Sequence, residues 1–191
     1  MLIIHKCHQV TQKPVPKSFP VRFRVSLPQF LINVGRKFKM ELNDEVRIIA
    51  KRDYVFSCLN NLEILKKCIP GCEELLESKD GLLLARVVLK IGPIKAKFKG
   101  KIILDLSDGP SRYSLSGEGD GGVAGLAKGV ANVELIEEGD QTILRYVTKS
   151  EVKGKIAQLG SRLILSTAKK LSKTFFENFK ELMQKDKNSI V

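Results

Sequence analysis

The chemistry open to this chain is bounded by where its histidines, thiols and glycines fall. Both histidines, His5 and His8, lie near the start, and none follows. From Met40 onward the chain therefore lacks the usual general base near neutral pH and the commonest metal ligand, which excludes hydrolase triads and histidine metal sites there. Cys68 and Cys72 stand at a C-x3-C spacing that can ligate a metal, but a closed zinc site needs two more ligands and only Cys58 and the distant Cys7 remain. They read as small buried thiols in a reducing compartment, and no metal is expected. The run Gly117-x-Gly119-x-x-Gly122 matches the dinucleotide fingerprint literally. That motif brings pyrophosphate to a helix N-terminus between parallel strands. Here Glu118 and Asp120 repel phosphate, and Gly125 and Gly129 spoil the helix that should follow, so no cofactor is expected. Glu73, Glu74 and Glu77 fall in one charged strand and Asp105 on the polar face of another, which suits solvated carboxylates. No catalytic residue is assigned.

What remains is the glycines themselves. Six fall between Gly117 and Gly129 among short side chains. Glycine in a strand leaves room where a side chain would have packed. A sheet thinned in this way and closed by a helix holds space in its core.

The elements that must position such a space follow from periodicity. Leu42, Val46, Ile48 and Ala50 alternate with polar residues, as a strand with one buried face should. Two short helices are expected near Tyr54 to Asn60 and Leu62 to Lys67, ended by Pro70-Gly71. Strands are expected near 73–78, 82–91, 94–106, 111–118, 123–136 and 142–152, with turns short enough to make neighbours antiparallel. After Gly154 the period becomes helical, with Ile156, Leu159, Leu163, Ala168, Leu171, Phe175, Phe179 and Leu182 on one face. A helix from Ile156 to Met183 runs about 42 Å at roughly 1.5 Å per residue, enough to cover the whole apolar face of the sheet.

The formal charge of +12 is uneven. Residues 1–39 hold eight Lys or Arg and no acid, together with four of the seven prolines. Pro20 and Pro28 interrupt any signal-peptide core, and scarce serine argues against a transit peptide. The expected domain is residues 40–185, with Met40 as the natural start. Residues 1–39 are a basic extension outside the fold, and 186–191 a short polar tail. No apolar run reaches the roughly 18 residues that cross a bilayer.

Four stretches, Cys68-Ile-Pro-Gly-Cys72, Ile91-Gly-Pro-Ile-Lys-Ala96, the glycines from Gly117 to Gly125, and Gly154 through Ile164, resemble the carbon monoxide dehydrogenase CoxG family. The resemblance covers Met40 to about Lys180. These proteins belong to the START-like, polyketide-cyclase-like (SRPBCC) superfamily. The resemblance implies an α+β helix-grip fold: a curved antiparallel sheet of six or seven strands wrapped around a long C-terminal helix, with two short helices after the first strand. It implies an apolar cavity and an accessory, non-catalytic role in membrane recruitment, quinone contact or maturation beside a molybdenum hydroxylase of the carbon monoxide dehydrogenase type. Many members continue into an apolar C-terminal anchor, whereas this chain ends in the polar stretch from Lys185 to Val191.

Strand parity assigns the expected cavity lining. One strand offers Leu83, Ala85, Val87 and Leu89, and the next Ala96, Phe98 and Ile102. Tyr113, Leu115, Val123, Gly125, Ala127 and Ala131 continue the face, with Phe56, Leu62, Leu163, Leu171 and Phe175 closing it. The opposite face of the fourth strand carries Lys95, Lys97, Lys99 and Lys101, a stripe suited to an anionic membrane surface or an acidic partner. No aromatic residues interleave with it, so nucleic acid is not expected. Three functions stay open: a cytoplasmic, peripheral carrier of a quinone or lipid-like molecule; a cyclase or aromatase using Tyr113, Tyr146 or Arg162; and an assembly factor that docks by its surface.

Overall fold

The computed structural model describes residues 37–188, with side chains to Lys185. The expectations for residues 1–36 and for the end of the tail lie outside the described residues. Seven strands form one antiparallel sheet in the order β1-β7-β6-β5-β4-β3-β2. They are β1 (Lys37–Ile48), β2 (Cys72–Glu77), β3 (Leu83–Ile91), β4 (Ile94–Asp105), β5 (Arg112–Asp120), β6 (Leu126–Glu138) and β7 (Gln141–Lys153). Two short helices, α1 (Arg52–Leu59) and α2 (Leu62–Cys68), follow β1, and α3 (Ser161–Asn188) follows β7. The Asn61 side chain caps α2 by accepting from the backbone N–H groups of Glu63 and Ile64 at 3.0 and 3.2 Å.

Three boundaries differ from expectation. β1 begins at Lys37 rather than Met40, because Lys37, Phe38 and Lys39 pair with Lys153, Val152 and Glu151 and Phe38 packs on the core. The long helix starts at Ser161 rather than Ile156: Lys155–Leu159 form a 3-10 turn, and Gly160 at φ +87° turns the chain into the helix. Its backbone runs to Asn188, past the expected edge of the domain at residue 185. β6 begins at Leu126 rather than Val123, because Gly122–Ala124 form a 3-10 turn whose Gly122 N–H donates to the Asp120 carboxylate at 2.7 Å.

The inner face of the sheet tapers. Tyr113, Val133 and Tyr146 face one another across β5, β6 and β7; two rows further along the same strands stand Gly117, Gly129 and Ser150, and one row beyond these Gly119, Ala127 and Val152. Helix α3 tapers in the same direction. Phe175, Phe176, Phe179, Leu182 and Met183 in its C-terminal half pack with Tyr113, Tyr146, α1 and α2 into the main core. Phe179 is fully buried and stacks 6.3 Å from Phe175. A second, smaller cluster at the other end joins Phe98, Val152, Ile156 and Ile164. Between the two clusters the facing residues are too small to meet.

Candidate functional site

A cavity of about 440 Å³ lies between the two clusters. Its floor is two adjacent rows of the sheet. Ala85, Gly100, Gly119 and Ala127 form one row, and Ile102, Gly117, Gly129 and Ser150 form the next. Its roof is the N-terminal half of α3, through Ile164, Thr167, Ala168 and Leu171. Ile69 and Pro70, from the loop after α2, complete the wall. The small residues are the cause of the space, since a Cβ at Gly100 or Gly119 would meet nothing closer than 3.6 Å.

The wall is almost wholly apolar. Its hydroxyls belong to Ser150 and Thr167, and Thr167 Oγ1 already donates to the Leu163 carbonyl at 2.8 Å. Such a site takes its affinity from buried apolar area, at about 25 cal/mol per Å², with few polar groups to orient a guest. A larger hollow of about 900 Å³ lies on the outer face, but it is walled by Lys39, Glu41, Lys101, Lys128, Lys149 and Glu151. Charged walls of both signs suit water or a protein surface better than an apolar molecule.

Of the expected lining, Ala85, Val87, Leu89, Phe98, Ile102, Ala127 and Leu171 meet at the cavity. The others lie elsewhere. Phe56, Tyr113, Leu115 and Phe175 fill the main core, with the Phe56 and Tyr113 rings edge-to-face at 5.9 Å. Leu62, on α2, does not line the wall. Ala131 and Leu83 are buried on the inner face but outside the wall, and Ala96 packs on the smaller cluster. Leu163 turns toward the β3–β4 hairpin, against Gly92. Val123 is 85% exposed at the tip of the 3-10 turn. Gly125 sits at φ +124° against the Lys153 carbonyl rather than in the strand.

Neither tyrosine considered for a cyclase reaches the cavity. Tyr113 is packed in the core, where burial raises its hydroxyl pKa; burial also raises Tyr146, whose hydrogen bond with Ser172 partly offsets the effect. Tyr146 stacks on Phe176 at 5.5 Å, and Arg162 is exposed on the first turn of α3.

Cys58 and Cys68 are buried in the main core and Cys72 is half-buried, its thiol donating to the Glu74 carbonyl at 3.4 Å. No group of three or more His, Cys, Asp or Glu side chains among the described residues is placed to hold a metal. Burial, with the neighbouring Cys58, pushes the Cys68 thiol up to about 11. Only about a thousandth is then thiolate at pH 8, so peptide mapping should find Cys68 unlabelled by a thiol reagent in the folded chain and labelled after urea. Because the folded pKa exceeds the unfolded one, the stabilisation is complete below about pH 9 and is lost as pH rises toward 11. Rapid labelling of the folded chain at Cys68 would contradict this.

The lysine stripe is on the outer face of β4 as expected, but its setting is mixed. Lys97 Nζ lies 2.7 Å from Glu73, Lys99 is opposite Arg86 on one side and Asp120 on the other, Lys101 is opposite Glu118, and Lys95 faces Lys90. Among the described residues no helix is long and apolar enough to cross a membrane.

Among curated protein sequences, none matches this chain. Solved structures do. A conserved protein from Geobacillus kaustophilus is 28% identical, with a TM-score of 0.72 over 76% of this chain and 96% of that one. A START superfamily protein from Mycobacterium smegmatis matches at 15% identity and TM-score 0.57, over 76% and 97% of the two chains. The Zhui aromatase/cyclase from Streptomyces sp. R1128 matches at 10% identity and TM-score 0.58, over 77% and 94%. The sheet, the paired short helices and the long closing helix are thus a START-like helix-grip fold. The family model for the carbon monoxide dehydrogenase protein CoxG matches residues 45–184, and the chain belongs to that family.

Proposed function

We propose that this protein is a non-catalytic accessory protein that holds an apolar molecule, a quinone or lipid-like chain, between its glycine-thinned sheet and α3, and that it assists recruitment or maturation of a molybdenum hydroxylase of the carbon monoxide dehydrogenase type. The observation that carries the reading is the 440 Å³ cavity with its nearly unbroken apolar wall. Family membership supports the partner class. A cyclase-like reaction on the same fold needs an acid or base beside the guest. The wall offers only the hydroxyls of Ser150 and Thr167, which favours a carrier. Native mass spectrometry of the purified protein, with an organic extract of its contents, tests this directly. An apolar species released in stoichiometric amount is expected, and a protein that neither carries nor takes up any apolar molecule would refute it.

The lysine stripe is proposed as the contact to an anionic surface, peripheral to the membrane or on an acidic partner. Replacing Lys95, Lys97, Lys99 and Lys101 together by Gln should leave the fold unchanged and weaken binding to anionic vesicles or to the hydroxylase, with wild-type binding falling as salt rises. Binding by the fourfold variant that equals wild type and ignores salt would remove the stripe from the mechanism.

A further inference from the structure

The outer face of the sheet carries an order that ligand binding does not use. Across β5, β6, β7 and β1, one row reads Glu118, Lys128, Glu151, Lys39, and a row three further along reads Arg112, Glu134, Arg145, Glu45. Each row alternates strictly in sign and sums to zero, in a chain whose formal charge is +12. Arg112 pairs with Glu134 at 2.8 Å and Arg145 with Glu45 at 2.9 Å. Between the rows Val130 and Val147 are exposed side chains on adjacent central strands, 46% and 38% accessible.

A neutral, alternating face is a poor target for an anionic membrane or a strongly acidic protein, which need a field of one sign. It is complementary to itself. We propose that this face docks a second copy of the chain, sheet on sheet, about a two-fold axis parallel to the strands and between β6 and β7. That axis sets β6 of one copy over β7 of the other, and β5 over β1. Every charge in the two rows then meets its opposite: Lys128 over Glu151, Glu118 over Lys39, Glu134 over Arg145, Arg112 over Glu45. Val130 and Val147 of both copies gather at the axis, the position expected of an interface core inside a polar rim. Four strands at about 4.8 Å spacing by four rows at about 6.8 Å give about 500 Å² of flat area per copy, so the pair reaches the roughly 1,000 Å² a specific contact requires.

Sedimentation of the full chain between about 1 and 100 μM tests the proposal, at protein concentrations bracketing a micromolar dissociation constant. A dimer is expected that weakens with salt and loses about tenfold or more in affinity on Val130→Lys or, as a second variant, Val147→Lys, both solvent-exposed and checked for folding by circular dichroism. Glu134→Arg alone should weaken it likewise, and Glu134→Arg combined with Arg145→Glu should restore it, because the swap returns an opposite charge to each facing pair at the axis. A monomer throughout, a dimer indifferent to the valine changes, or anionic-vesicle binding that Val130→Lys abolishes would each overturn the proposal.

Discussion

Replacing Gly119 by leucine is expected to abolish uptake of an apolar fluorescent probe while the protein stays folded. Gly119 lies in the floor row between Gly100 and Ala127, and its missing Cβ would sit 3.8 Å from the Phe98 ring and 4.0 Å from the Ala127 carbonyl. These are ordinary contact distances, so a side chain grows into the empty volume and not into backbone. Overpacking costs about 1–3 kcal/mol at most sites, and less where the added atoms fill a void. Ala127→Phe, from the same row, should act alike. The check is probe titration beside circular dichroism: a folded Gly119→Leu protein that binds the probe as wild type does would show that the guest lies elsewhere, or that there is none.

Six residues later the same kind of substitution should do the reverse. Gly125→Leu is expected to destabilise the fold by more than about 3 kcal/mol without occupying the cavity at all. A backbone at φ +124° costs a non-glycine residue on the order of 1–3 kcal/mol, and an added Cβ would stand 2.0 Å from the Lys153 carbonyl oxygen, a fixed backbone atom. Urea denaturation of the milder Gly125→Ala protein gives the measurement. Stability within about 1 kcal/mol of wild type would mean that the turn before β6 relaxes freely.

That contrast marks what the sequence discloses. Period-two alternation and the turn residues suffice for seven strands, because each strand has one wet and one dry face and a slip of one residue would exchange them. The family motifs point the same way. Parity also identifies the inner face, so Ala85, Phe98, Ile102 and Ala127 are legible as inward. It does not say where along the face the helix makes contact and where it stands off. That depends on the sum of facing side-chain sizes: Tyr113, Tyr146 and Phe175 sum to contact, whereas Gly119 with Ala168 does not. The helix positions from Ile164 through Thr167, Ala168 and Leu171, read at i, i+3, i+4 and i+7 against the strand glycines, are the signal that locates the cavity. Val123 and Gly125 depart from the expected lining for another reason. Asp120 captures the Gly122 N–H and bends the chain into a 3-10 turn, a local hydrogen bond that hydrophobic alternation does not report.

The size of the cavity limits its guest more sharply than its polarity does. At the roughly 30 Å³ that a water-sized group occupies in a liquid, 440 Å³ has room for about fifteen non-hydrogen atoms. A substituted quinone ring fits within that count, and so does a short acyl chain; a ring bearing a long isoprenoid tail does not. For a guest of that kind, affinity should rise with each added carbon only until the space is full and then level off, so a homologous series of chain lengths acts as a ruler for the cavity. The remainder of a longer tail must lie outside the protein, against whatever surface the carrier rests on.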